Sequence, residues 1–153
     1  MEIAEIRIGA GLKGICPMPG RTGDYLGDLA AVLAWSPGLV VTLAETGELA
    51  ARGAASLPAD LARAGVDWLH LPIPDFGTPP RGLRQAWPEV SARLHEVDRM
   101  LVHCMGGCGR SGMILLRLMV EVGESPGAAL ERLRAVRPCA VETRAQMVWA
   151  MGA

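Results

Sequence analysis

The run His103-Cys104-Met105-Gly106-Gly107-Cys108-Gly109-Arg110-Ser111-Gly112 sets a thiol, a guanidinium and a hydroxyl on one glycine-rich loop. Glycine admits left-handed backbone and close approach, so such a loop can curl and turn successive N–H groups inward. A short apolar stretch, Met100-Leu101-Val102, precedes it, and a helix-like stretch from Met113 to Val120 follows. Strand, glycine loop and helix N-terminus together make an anion site. Cys104 is then a nucleophile placed inside that site, where the amides and the helix dipole favour a thiolate. The backbone of Met105, Gly106, Gly107, Cys108, Gly109 and Arg110 can cradle a phosphate against the sulfur. Arg110 can fork around two phosphate oxygens, which a lysine does less well. Ser111 can donate its hydroxyl to the sulfur. His103 is expected to brace the loop through hydrogen bonds and not to act as a base.

A thiolate that expels an alkoxide or phenoxide also needs an acid, and Asp75 is the candidate. It sits in Pro72-Ile73-Pro74-Asp75-Phe76-Gly77-Thr78-Pro79-Pro80, a stretch too rich in proline for a regular element. This stretch follows an expected parallel strand, and ligand sites in such sheets gather at the carboxyl ends of strands. Phe76 and the prolines are expected to shield the carboxyl from water and favour its protonated form. Two steps result: Cys104 attacks phosphorus while Asp75 protonates the leaving oxygen, then water activated by Asp75 hydrolyses the phosphocysteine. Arg110 and the loop amides would neutralise the charge, so neither a metal nor a cofactor is expected.

The elements that must position these groups are legible as periodicity. Ile3 to Ile8 and Ile15-Cys16 suggest two short strands around a glycine-rich turn. Leu39–Leu43 reads as a buried parallel strand, and Val66–Leu71 and Met100–His103 as further strands. Helical spacing marks roughly 24–35, 45–52, 58–64, 83–97, 111–122, 126–136 and 143–151, with Thr143 an N-cap and Pro88 leaving one helix start open. Strands alternating with helices predict an α/β fold, a mainly parallel central sheet with helices on both faces, in one domain over 1–153.

Composition narrows the function classes. The chain has 153 residues with 15 basic and 16 acidic side chains, so it has no global basic field for nucleic acid or an anionic membrane. No apolar run is long enough to span a bilayer, and the N-terminus lacks a signal-peptide pattern. The chain is therefore expected to be cytoplasmic; a monomer is the expected state, although nothing in the sequence decides it. In a reducing compartment its four cysteines, Cys16, Cys104, Cys108 and Cys139, are not expected to form structural disulfides. Their spacing does not suggest a zinc site. Cys108 reads either as a small loop residue or as a thiol that pairs with Cys104 on oxidation. Cys16 and Cys139 read as packing or surface residues.

With these residues in place, the chain resembles the cysteine-dependent protein tyrosine phosphatase superfamily, whose signature HCxxGxxR followed by Ser or Thr is met by His103, Cys104, Gly107, Arg110 and Ser111. It is most similar to the small dual-specificity-like branch that includes kinase-associated phosphatase. Trp68–Pro79 resembles the general-acid loop of that branch. Val41-Thr42-Leu43 with Glu48-Leu49 resembles an early strand and helix. Arg137-Pro138 with Val141-Glu142-Thr143 and Gln146 resembles the C-terminal segment. The resemblance implies a phosphatase-like fold, Cys104 as nucleophile, Arg110 as phosphate clamp, Asp75 as general acid and Ser111 assisting phosphoenzyme breakdown. It also implies Gln146 placing the hydrolytic water. Expected substrates are phosphorylated proteins, phosphotyrosine with phosphoserine and phosphothreonine, or a small phosphomonoester. Two alternatives stay open: a non-hydrolytic phosphoprotein-binding module, and an arsenate reductase-like thiol enzyme. Arg21, Arg81 and Arg144 can line the mouth of the site.

Overall fold

The computed structural model describes residues 1–152; Ala153, the last residue of the expected domain, lies outside them. Its centre is a five-stranded sheet in the order β1-β2-β5-β3-β4. These are β1 (Ala4–Ile8), β2 (Gly11–Cys16), β3 (Leu39–Thr42), β4 (Asp67–His70) and β5 (Arg99–His103). The β1–β2 hairpin is antiparallel, and every other pairing is parallel. Period-two alternation assigns the faces. Leu39, Val41, Met100 and Val102 point into one core, while Val40 and Leu101 point into the other. Both sets are buried because helices cover both sides, which is why these strands read as unbroken apolar runs.

One face carries α1 (Tyr25–Trp35), α2 (Thr46–Ala51) and α3 (Leu57–Arg63), packed through Val32, Leu49, Leu57 and Leu61. The other carries α4 (Arg81–Glu96), α5 (Gly109–Glu121), α6 (Pro126–Val136) and α7 (Arg144–Ala150). The inner helix is α5, where Met113, Ile114, Leu115, Leu116, Leu118 and Met119 have no exposed surface. Such all-round burial suits a helix wedged between sheet, α6 and α7.

Two local outcomes differ from the periodicity. Helix α4 runs straight through Pro88. Pro88 is on the exposed side, where the carbonyl it leaves without an N–H donor can face water. Helix α5 begins at Gly109, two residues earlier than expected, so its N-terminus lies within the glycine-rich loop itself. The single lysine also has a structural task. Buried Lys13 donates to the carbonyls of Leu94 (2.8 Å) and Val97 (2.7 Å), closing the C-terminal end of α4 against the sheet. Burial pushes this amine below its ordinary value, with Asp98 opposing the shift.

Candidate active site

The loop from His103 to Arg110 leaves the carboxyl end of β5 and enters α5. Its shape follows from where its carbonyls go. The carbonyl of Cys104 is bonded by His103 Nδ1 (3.1 Å) and that of Met105 by Met18 N (3.0 Å). Arg137 forks onto the next two, Nη2 to Gly106 O and Nε to Gly107 O, both at 2.9 Å. Cys108 O accepts from Gly112 N (2.8 Å) and Val141 N (3.2 Å). With five successive carbonyls turned outward, the N–H groups of Met105, Gly106, Gly107 and Cys108 have no protein acceptor among the described residues. That arrangement has the form of a backbone nest, which can take an anion. Gly107 is required at its position: it has φ +68°, and a Cβ there would lie 2.5 Å from the carbonyl carbon and oxygen of Cys16.

His103 is the brace that the sequence suggests. Its ring is buried, with Nε2 2.7 Å from Thr42 Oγ1. A carbonyl can only accept, so Nδ1 carries the proton toward Cys104 O and Nε2 accepts from the Thr42 hydroxyl. Thr42 in turn accepts from Trp68 Nε1 at 2.8 Å. This chain ties β3, β4 and β5 together directly beneath Cys104. Burial pushes the imidazole from 6.5 down to about 4, against its bond to the Cys104 carbonyl and with help from the Arg110 charge, so His103 is neutral near pH 7.

The folded value lies below the unfolded one, which fixes the sign of the linkage. Above pH 6.5 both states are neutral and there is no penalty. As pH falls from 6.5 toward 4 the unfolded chain takes up a proton that the folded chain refuses. The loss over that window should amount to about 3 kcal/mol. Urea unfolding at pH 7 and pH 4 will show it, and His103→Asn, which keeps a donor for the Cys104 carbonyl, should flatten the slope. An equal acid loss in both proteins would assign it to other groups.

Arg110 is almost fully buried at 1% exposure, and what keeps a guanidinium there is Glu48. Nη1 and Nη2 bond the two carboxylate oxygens of Glu48, each at 2.8 Å, and Nη1 also reaches Ile73 O at 2.9 Å. Glu48 Oε2 also accepts from Glu45 N at the start of α2 (2.7 Å), which orients the carboxylate. The Arg110 bond holds the Glu48 carboxyl below its ordinary value, against the effect of burial. Asp75 Oδ1 lies 3.1 Å from Arg110 Nη2, so the acid loop and the glycine loop meet at this guanidinium.

Other expected features took a different form. Phe76 does not shelter Asp75: it is 60% exposed, in left-handed backbone at φ +60°, and the Asp75 side chain is half-exposed. Ser111 Oγ is buried without any hydrogen-bond partner, so the expected bond to the Cys104 sulfur is not made. Gln146 caps α7: its Oε1 accepts from Glu142 N and Thr143 N, and its Nε2 donates to Gly77 O (3.1 Å) on the acid loop. The carboxylate that reaches the glycine loop is Glu142, which accepts from Gly109 N at 2.8 Å. Cys108 and Cys139 are joined in a disulfide, Cα–Cα 5.1 Å, contrary to the expectation of unpaired thiols; Cys104 and Cys16 are free. The packing of 137–142 along the loop brings the pair together across 31 residues of sequence.

Of the three arginines considered for the mouth, Arg21 lies beside Gly106. Arg144 lines an open cavity of about 410 Å³ with Thr78, Arg84 and Trp149, next to the acid loop. Arg81 opens α4 and enters neither arrangement. The residues that sequence reasoning left without a role are Glu48, Arg137, Cys139 and Glu142. Each lies in a stretch legible only as an element or as part of a resemblance, and only the contacts show what it holds.

A family model described as "Polymorphic toxin system, DSP-PTPase phosphatase" matches residues 18–124, more than two-thirds of the chain. The chain belongs to this DSP-PTPase phosphatase family. The matched region contains Asp75, Cys104 and Arg110 and stops before the 137–142 segment. Cyclin-dependent kinase inhibitor 3 of Rattus norvegicus is 37% identical to this chain over 78 residues, 48% of this chain and 36% of the relative. The Homo sapiens protein of that name is 32% identical over 78 residues, 49% and 37% of the two chains. The alignments thus span little more than a third of these curated relatives. Among solved structures, kinase associated phosphatase carrying a serine at its catalytic-site cysteine superposes with TM-score 0.83 at 23% identity. That match covers 97% of this chain and 91% of the other. Tk-PTP in its active form gives TM-score 0.69 at 33% identity, with 97% and 95% covered. The fold is accordingly a protein tyrosine phosphatase-like α/β fold with helices on both faces of a mostly parallel sheet. No helix among the described residues is long and apolar enough to cross a membrane.

Proposed function

We propose that this phosphatase hydrolyses phosphotyrosine, and also phosphoserine and phosphothreonine, through a phosphocysteine intermediate on Cys104. The observation that carries the reading is the meeting of two loops at one buried guanidinium. Arg110 is locked by Glu48, lies six residues from Cys104 around a nest of unbonded amides, and stands 3.1 Å from the Asp75 carboxyl group. Phosphate oxygens would take the amides of Met105–Arg110, and Glu142 would have to release Gly109 N as they do. The Cys104 thiolate attacks phosphorus and forms the S–P bond. The P–O bond to the leaving group breaks, and Asp75 delivers its proton to that oxygen. Asp75, now a carboxylate, takes a proton from water as the water attacks phosphorus and the S–P bond breaks. The orphaned Ser111 hydroxyl is a donor free to stabilise the departing thiolate.

The match of residues 18–124 to a DSP-PTPase family model supports the broader substrate range. The test is turnover of aryl phosphates with a chelator present, comparing wild type with Asp75→Asn. Asp75→Asn should lower kcat/KM on phenyl phosphate by about 10²-fold and less on para-nitrophenyl phosphate, whose leaving group needs little protonation. Equal activity of the two proteins on phenyl phosphate across pH would remove Asp75 from the role. Binding of phosphopeptide with no turnover by wild type would instead support a binding module.

A further inference from the structure

The segment 137–142 grips the outside of the phosphate loop at four points. Arg137 holds the carbonyls of Gly106 and Gly107, Val141 N holds that of Cys108, Glu142 accepts from Gly109 N, and Cys139 is bonded to Cys108. The last is covalent. The segment is also under conformational load: Val141, a β-branched residue, sits at φ +66°. A residue of that kind stays in the left-handed region only where its surroundings over-determine it. Here those surroundings are the loop contacts and the Arg134 bond to Val141 O (2.9 Å). Loosening one grip therefore favours relaxation of the segment, and with it of the carbonyls whose outward turn leaves the loop amides facing the site.

Accessibility separates this cysteine pair from the others. Cys139 is exposed and Cys108 half-buried, whereas Cys104 and Cys16 are buried and unpaired. The backbone bond beside the pair, Val141 N to Cys108 O, does not involve the sulfurs, so it can bring the two thiols back within reach for reoxidation.

We propose that Cys108 and Cys139 form a reversible oxidation site, distinct from the nucleophile, whose disulfide holds the loop in its anion-binding shape and whose reduction weakens its hold on phosphate. The modifying reagent is a peroxide. The Cys139 thiolate attacks one peroxide oxygen, the O–O bond breaks, and a sulfenic acid forms with loss of the first water. The Cys108 thiolate then attacks the Cys139 sulfur, the S–S bond forms, and the hydroxyl leaves as the second water. A dithiol returns the two electrons, becoming a disulfide as both cysteine protons are restored. While Cys108 is held by Cys139 it cannot pair with Cys104, so oxidation at this site leaves the nucleophile free.

The proposal rests on the phosphate-binding reading of the loop but not on catalysis. Its test is in two parts. Protein equilibrated in glutathione buffers from reducing to oxidising is alkylated and mapped by mass spectrometry, which should show Cys108 linked to Cys139 with Cys104 alkylated. Inorganic phosphate is then titrated calorimetrically into oxidised wild type, dithiothreitol-reduced wild type and Cys139→Ser. Reduced wild type and Cys139→Ser should agree, each binding phosphate about three- to ten-fold more weakly than the oxidised protein, the effect of losing pre-organisation. The comparison of the two wild-type states needs no variant, so it stands even if Cys139→Ser fails to fold. A linkage that never forms, a linkage that includes Cys104, or equal phosphate affinity in both redox states would each overturn the proposal. Redox-dependent phosphate binding without aryl phosphate turnover would sustain it and refute the catalytic reading instead.

Discussion

Cys104→Ser is expected to lower turnover of any phosphomonoester by at least about 10⁴-fold while phosphate binding persists. The reason lies in what surrounds the sulfur. Sulfur is a far stronger nucleophile than a hydroxyl oxygen, and here it sits at the start of the glycine loop that runs into the N-terminus of α5. A serine hydroxyl is far less acidic and needs a base to take its proton. The adjacent candidate cannot serve, because His103 has both nitrogens engaged, Nδ1 with Cys104 O and Nε2 with Thr42 Oγ1. Its depressed affinity for a proton makes it a still poorer base. The nest is built from backbone, so the variant should bind inorganic phosphate within about three-fold of wild type and act as a substrate trap. Kinetics on para-nitrophenyl phosphate together with phosphate calorimetry separate the two effects. Serine-variant activity within ten-fold of wild type would end the nucleophile assignment.

Arg110→Lys should be nearly as damaging, with kcat/KM down by about 10²- to 10⁴-fold and stability down by roughly 2–4 kcal/mol. The guanidinium binds both Glu48 oxygens and the Ile73 carbonyl, and Nη2 also faces Asp75. Its plane lets it span Glu48 on one side and offer donors to the site on the other. An ammonium has no such plane, and its position is 1% exposed, so it loses hydration without recovering the bidentate pair. Glu48 would keep its charge with half its partners. The two losses appear in different measurements: denaturant unfolding reports the Glu48 pair, and kcat/KM at a temperature where the variant is folded reports the phosphate clamp. A variant as stable and as active as wild type would contradict both roles.

Much of the candidate site was legible in the sequence because the groups it would use are local. Cys104, the glycines and Arg110 lie within one loop, and the apolar runs on either side state which elements hold it. The strand pattern was legible for a similar reason: Leu39–Val41 and Met100–Val102 are buried on both faces and therefore carry no polar residue at alternate positions to blur the signal. What escaped was everything that depends on a partner far along the chain. Glu48 lies 62 residues from Arg110, Glu142 33 from Gly109, and Cys139 31 from Cys108. No periodicity encodes such pairs. The assumption of a reducing compartment argued against the disulfide, and only the packing of 137–142 along the loop brought the two sulfurs together.

The environment of Asp75 shows the same division. A proline-rich loop after β4 could be expected to open on the same sheet edge as the glycine loop, and it meets that loop at Arg110. Whether Phe76 folded over the carboxyl or swung out to solvent could not be read from composition, since proline restricts the chain without choosing where a neighbouring ring goes. By itself, then, the sequence determined a thiol and a guanidinium on a glycine loop between strand and helix, because those properties follow from residue type and short spacing. Tertiary structure alone decided that Glu48 anchors Arg110, that His103 is neutral, and that Arg137 and Cys139 shape the loop from outside. Burial and the directions of hydrogen bonds exist only once distant segments have packed together.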